Sequence, residues 1–257
     1  MRRATWFFVT ACVLAVSCCG GSARAEDFRV DTDYYVGNEK KPSAEVLTIF
    51  QGGIAYDFQG VETMVLDPRR GKLTLLDSER KVRADLETAE LLDAATSLQA
   101  VALDSKNPAL VAAAKPEFQK SSEDFQQNGG QFTRLTFQSA PLRYIVEAQA
   151  ARTPEAVQEY KYFVDWSARL NSLRPGGQPA GARLEINEAL AAKGLIPTRI
   201  DRVIPDARIR EVRAQHCVIW KLSQDDHSRI DKTGTQLVKF QLVSFDQYIK
   251  INKTAKR

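Results

Sequence analysis

His216-Cys217 sets a base directly beside a thiol, the pairing that thiol acyl transfer requires. Neighbouring residues on a strand point to opposite faces, however. The stretch IREVRAQHCVIWKL reads as a strand, so the thiol is carried away from the imidazole and both side chains take structural roles. His227, in QDDHSR, reads as a solvated histidine in a polar turn. With only two histidines in the chain, no histidine-rich metal site can be built within one molecule, and HExxH, paired CxxC and EF-hand patterns are all missing. Carboxylates are close together at Asp31 and Asp33 and at Asp225 and Asp226, but a glycosidase pair is defined by its separation across a cleft, which spacing along a chain does not supply. The G-x-S-x-G elbow, the Walker loop and G-x-G-x-x-G are likewise missing. The reading is therefore of a protein that is not an enzyme and uses no cofactor and no metal.

The elements that would position these residues are mostly strands. From Phe28 to Leu86, short apolar runs alternate with Gly, Pro, Asp, Asn and Ser clusters, which predicts six strands in an antiparallel meander. Asp67-Pro68-Arg69-Arg70-Gly71 carries turn chemistry, because proline presets its φ and glycine accepts a positive one. Thr88 to Leu103 places Leu91, Leu92, Ala95, Leu98 and Val101 near helical spacing. Asn107-Pro108 starts a second, alanine-rich helix that must end before Pro116. Lys120 to Gly130 reads as a polar, mobile loop, followed by the strands QFTRLTF and LRYIVEA. Thr153-Pro154-Glu155 caps and launches the helix AVQEYKYFVDWSARLNSL. A Pro/Gly-rich surface loop at 174–181 comes next, then a short helix near Asn187 to Lys193 and the strands IPTRIDRVI, IREVRAQHCVIWKL and TQLVKFQLVSF.

The first 25 residues pair Arg2 and Arg3 with an apolar run and the small-residue exit Ala23-Arg24-Ala25, the pattern of a signal peptide. Cleavage near Ala25 would give a secreted or periplasmic protein. Ala15-Val16-Ser17 lacks the leucine that opens a bacterial lipobox, which counts against lipid anchoring at Cys18 or Cys19. Cleavage would leave 33 basic against 32 acidic residues, no footprint for nucleic acid. It would also leave Cys217 alone, so the mature chain would hold no intrachain disulfide. A hydrophobic core must then carry the fold, and residues 26–257 can supply one as a single domain.

A strand meander, a helical middle and returning long strands, with the phrases IFQGGIAYDF and MVLDPRRGKLTLLD, resemble the periplasmic lipoprotein-carrier family with the Lol-type (LolA/LolB-like) half-barrel. The resemblance implies an α+β fold, a curved antiparallel sheet forming an open half-barrel with helices covering the concave face. It implies a hydrophobic cavity, with Phe50, Tyr56, Phe58, Val65, Leu75 and Trp220 as candidate ligand-binding residues and the helix bearing Tyr160 and Trp166 as partial cover. The ligand so implied is a lipid or lipoprotein acyl chain, with transient membrane contact. The alternative is a secreted protein-protein interaction or scaffold protein whose sheet is fully packed, and an exported hydrolase using carboxylates is the third reading.

Overall fold

The computed structural model describes residues 27–205 and 211–254; the signal-like segment, with Cys12, Cys18 and Cys19, lies outside the described residues. The meander forms as the alternation requires: β1 (Phe28–Val36), β2 (Ala44–Gln51), β3 (Ile54–Gln59), β4 (Glu62–Asp67), β5 (Lys72–Asp77) and β6 (Val82–Glu87). Gly52 and Gly53, both with positive φ, close β2 onto β3 in a two-residue turn. Asp67 accepts hydrogen bonds from the backbone N–H groups of Arg69 and Arg70, and Gly71 closes that turn in the left-handed region at φ 59°.

Helices α1 (Thr88–Leu103) and α2 (Pro108–Ala114) then precede β7 (Gln119–Gln127), β8 (Gly130–Gln138) and β9 (Arg143–Ala150). Helix α3 (Pro154–Leu173) starts where Thr153 Oγ1 accepts from Ala156 N, and α2 starts where Asn107 accepts from Ala109 N. Helix α4 (Gly181–Ala192) leads into β10 (Leu195–Val203) and β11 (Glu211–Ile219). A side chain at Gly181 would collide with the Ala114 carbonyl, so glycine there permits α4 to start against the end of α2.

Strand β11 returns to pair with β1, joining the early and late parts of the chain in one open sheet of order β12-β6-β5-β4-β3-β2-β1-β11-β10-β9-β8-β7, where β12 is Gln241–Leu242. All neighbours are antiparallel except β12 with β6. The fold is thus α+β, with a curved antiparallel sheet left unclosed and helices on its concave face.

Cross-strand register fixes which side chains share the concave, inner face. Phe28, Val30, Thr32 and Tyr34 of β1 stand opposite Phe50, Thr48, Val46 and Ala44 of β2, and the rows continue through Ala55, Asp57 and Gln59 of β3. Two apolar clusters cover this face. One joins Phe28, Phe50, Leu66, Leu73 and Leu75 to Leu91 of α1 and to Tyr160, Phe163 and Leu170 of α3. The other joins Phe137, Tyr144, Val146 and Ile200 to Ala113 of α2 and to Ile186 and Leu190 of α4. Each fully buried large side chain contributes about 1.5–3 kcal/mol.

Three expectations are corrected. TQLVKFQLVSF is not one strand: its first five residues end α5 (Gln224–Lys239), β12 takes two, and its last, Phe245, begins α6 (Phe245–Thr254). The reason is a capping box in which the Ser223 side chain accepts from Asp226 N while Asp226 accepts from Ser223 N. His227 is accordingly not in a turn but in the first turn of α5, where its Nδ1 lies 2.9 Å from Gln51 Nε2. Lys120 to Gly130 is not a loop, since β7 occupies most of it as an edge strand.

Helix α5 also lies on the outer face, where no helix was expected. Arg29 Nη1 donates to the buried Asp226 carboxylate at 2.9 Å, and the Arg229 guanidinium stands 5.9 Å from the Phe58 ring centre. The chain then passes the β6 edge through β12 and returns to the inner side, where α6 inserts the fully buried Tyr248 into the first cluster.

Candidate functional site

Between the two clusters the inner face is not packed. A cavity of about 510 Å³ remains, floored by β1, β2, β3, β4, β9, β10 and β11 and roofed by α3, the 176–180 loop and the start of α4. That volume falls within the usual range for small-molecule sites. The loop at 174–181, exposed at Pro175, Gly176 and Gly177, also lines this cavity on its inner side. A side chain at Gly177 would strike the Asn171 carbonyl, so glycine lets the loop fold tightly beneath the end of α3.

The lining mixes apolar walls with polar groups. Val30, Val46, Met64, Phe163, Leu170, Ile200 and Ala214 supply the apolar part. Thr48 Oγ1 donates to Asp57 Oδ1 at 2.6 Å across the β2–β3 pair. Burial pushes the Asp57 carboxyl up to about 6, Glu62 adds to the rise, and Thr48 and Arg174 oppose it. Thr32 Oγ1 lies 2.9 Å from His216 Nδ1 across the β1–β11 pair. Burial, reinforced by Arg183, holds the His216 imidazole down to about 3, so it is neutral at physiological pH. Burial likewise raises the phenols of Tyr34, Tyr144 and Tyr160, which stay neutral too.

Glu62 accepts hydrogen bonds from Arg174 and, at 3.0 Å, from the Tyr248 hydroxyl. This ties α6 and the end of α3 to the cavity floor. Arg202 Nη1 donates to Gln178 Oε1 at 3.2 Å, which anchors the roof loop to β10. Ser167 Oγ and His216 Nε2 are both without hydrogen-bond partners among the described residues. Among the described residues, no group of three or more His, Cys, Asp or Glu side chains is placed to hold a metal ion.

The eight residues singled out from sequence are not brought together. Only Tyr160 lines the cavity. Phe50 and Leu75 are on the inner face but sealed inside the first cluster, Phe50 stacked on Phe28 with ring centres 4.3 Å apart. Trp220 packs at the same end, 5.3 Å from Phe28, and Trp166 packs against that cluster beside Tyr162. Tyr56, Phe58 and Val65 belong to the outer face, because their neighbours Asp57 and Met64 hold the inward positions. Thr32, Thr48, Asp57 and Arg183 line the hollow and escaped the sequence reading, and His216, read there as structural, lines it too. The charges Arg29, Asp31 and Asp33 mark the outer face of β1, and the two-residue glycine turn transmits that assignment to β3. His216 and Cys217 do point oppositely, with His216 lining the cavity and Cys217 exposed.

No helix among the described residues is long and apolar enough to cross a membrane. No protein-family model matches the chain, and no curated protein matches its sequence. Among solved structures, PNGF-II in a C2 space group aligns at a TM-score of 0.38 and 10% identity, over 87% of this chain and 32% of its own length. The chain thus spans about a third of that protein. The LolA superfamily protein NE2245 from Nitrosomonas europaea aligns at a TM-score of 0.27 and 6% identity, over 78% of this chain and 89% of that one. Both TM-scores are too low to carry a residue role or a function across.

Proposed function

We propose that residues 26–257 act, after export and removal of a signal peptide, as a single half-barrel-like domain that binds or carries a hydrophobic ligand without catalysis. The ligand class is a lipid or acyl chain, held between the inner face of the sheet and the α3–α4 roof. The observation that carries this reading is the unfilled cavity of about 510 Å³ between two otherwise close-packed clusters. Leaving such a space empty forfeits dispersion contacts, so a protein that keeps one gives up stability for it. Affinity comes from apolar burial at roughly 25 cal/mol per Å², reduced by the cost of ordering both partners. Transient membrane contact belongs to the same proposal and is supported by Leu92, Leu98, Val101 and Leu103, all exposed on α1.

Native mass spectrometry of the exported protein, purified without detergent, tests the reading. A mass increment that organic extraction releases as lipid supports it. A clean polypeptide mass, together with failure to take up a neutral apolar dye such as Nile red, overturns it. A second reading, partner binding by strand addition, draws on β7, whose nine residues form one edge of the sheet. Lys120, Glu123 and Asp124 place charge along that edge, the usual device against strand addition, so this reading ranks second.

A further inference from the structure

Every other cation facing the cavity is engaged, but Arg183 is not. Arg174 is paired with Glu62 and Arg202 is bonded to Gln178. Arg183, half-buried near the start of α4, forms no hydrogen bond or ion pair with any described residue. Its charge acts on Tyr34, Tyr144, Tyr160 and His216, all neutral groups lining the same cavity. A half-buried guanidinium that faces phenols and a neutral imidazole, with no carboxylate partner among the described residues, keeps its donors available to an incoming acceptor. The hydroxyl of Ser167 and Nε2 of His216 border the same space, also without partners among the described residues.

We propose that Arg183 anchors the head group of an amphiphile and that this head group is a monoanionic carboxylate. The proposal rests on the reading of the cavity as a lipid site and specifies the polar end of its ligand. A carboxylate matches the planar guanidinium fork with two parallel hydrogen bonds. Asp57 and Glu62 line the same cavity and repel a second negative charge, which disfavours a phosphate dianion. The apolar wall of Val46, Met64 and Ile200 receives the hydrocarbon.

The test compares three eighteen-carbon ligands of one chain type at pH 7.5 below their aggregation limits: oleate, oleyl alcohol and oleyl phosphate. Affinities are read by displacement of Nile red from the wild type, Arg183→Gln and Arg183→Lys, with circular dichroism verifying the fold of each. The wild type is expected to bind oleate about 10-fold tighter than oleyl alcohol, the scale of one charge-assisted pair, and tighter than the phosphate. Arg183→Gln should bring oleate down to the level of the alcohol and leave the alcohol unchanged, while Arg183→Lys keeps part of the preference. Equal wild-type binding of oleate and alcohol, or an undiminished preference in Arg183→Gln, overturns the anchor and leaves the lipid site standing. Tighter wild-type binding of the phosphate overturns the carboxylate assignment. Binding of none of the three overturns the lipid site itself and the anchor with it.

Discussion

The two ends of the inner face are built from the same strands and serve opposite ends. At the first row, Phe28, Phe50, Ala55, Leu66 and Leu73 lie side by side across five strands, and Phe163 meets Phe50 edge-on at 5.5 Å. Phe28 and Leu73 are wholly excluded from solvent. Two to four residues further along, the same strands present Thr32, Thr48 and Asp57, with His216 on the neighbouring strand, and the helices above no longer touch down. Close packing and open space are therefore segregated along the length of a strand. One end holds the sheet together, and the other is the end to which the proposed function assigns the ligand.

Truncation at the packed end gives the largest expected effect. Phe50→Ala removes a ring in contact with Phe28, Tyr160 and Phe163 and should cost about 3–5 kcal/mol in chemical denaturation. A loss below about 1 kcal/mol would erase the distinction between the two ends.

At the hollow end a substitution should stabilise. The Asp57 carboxyl is raised from 3.8 to about 6, so the folded protein holds a proton that the unfolded chain has released. Stability from this group falls as pH rises from about 4 to 6, and the full penalty applies above that. Asp57→Asn keeps the acceptor for Thr48 and should gain about 1–2 kcal/mol at pH 7.5, discounted because the cavity admits water. The gain should vanish below about pH 4. His216 works in the other direction, its depressed pKa costing stability as pH falls below about 6.5, so the comparison is made variant against wild type at each pH.

The smallest effect on binding is expected at Tyr56, which sits on the outer face. Tyr56→Ala should leave affinity for Nile red within about 2-fold of wild type, a margin of roughly 0.4 kcal/mol. A loss beyond about 10-fold would mean that the two faces of β3 are coupled.

Much of this architecture is legible in the sequence, for definite reasons. Strands β1–β6 announce themselves because each buries one face or both between punctuating turns, and α3 does so through Thr153-Pro154-Glu155. The register between β1 and β11 joins the early and late strands as the order of elements suggests. What escaped is what alternation cannot carry. In Ala55-Tyr56-Asp57-Phe58 both faces of the strand are covered, so aromatic character does not identify the inward side. Strand β7 is exposed at its edge and needs no apolar alternation. Across the end of α5 the local spacing of Val238, Phe240 and Leu242 imitated a strand, while the Ser223–Asp226 cap decided for a helix as far as Lys239. Arg183 carries no sequence signal, because its singularity lies in the partners it lacks.

If the space beneath α3 is an open site and not a packing defect, filling it must weaken ligand uptake without unfolding the protein. Ala168 lines that space from the α3 side and is partly exposed, so Ala168→Trp can fill it at little cost to the fold. Nile red titration of this variant and the wild type, each with its thermal midpoint, tests the claim most directly. At least about a 10-fold loss of dye affinity is expected, with the midpoint held or raised. Undiminished binding by a variant that melts like the wild type would contradict it.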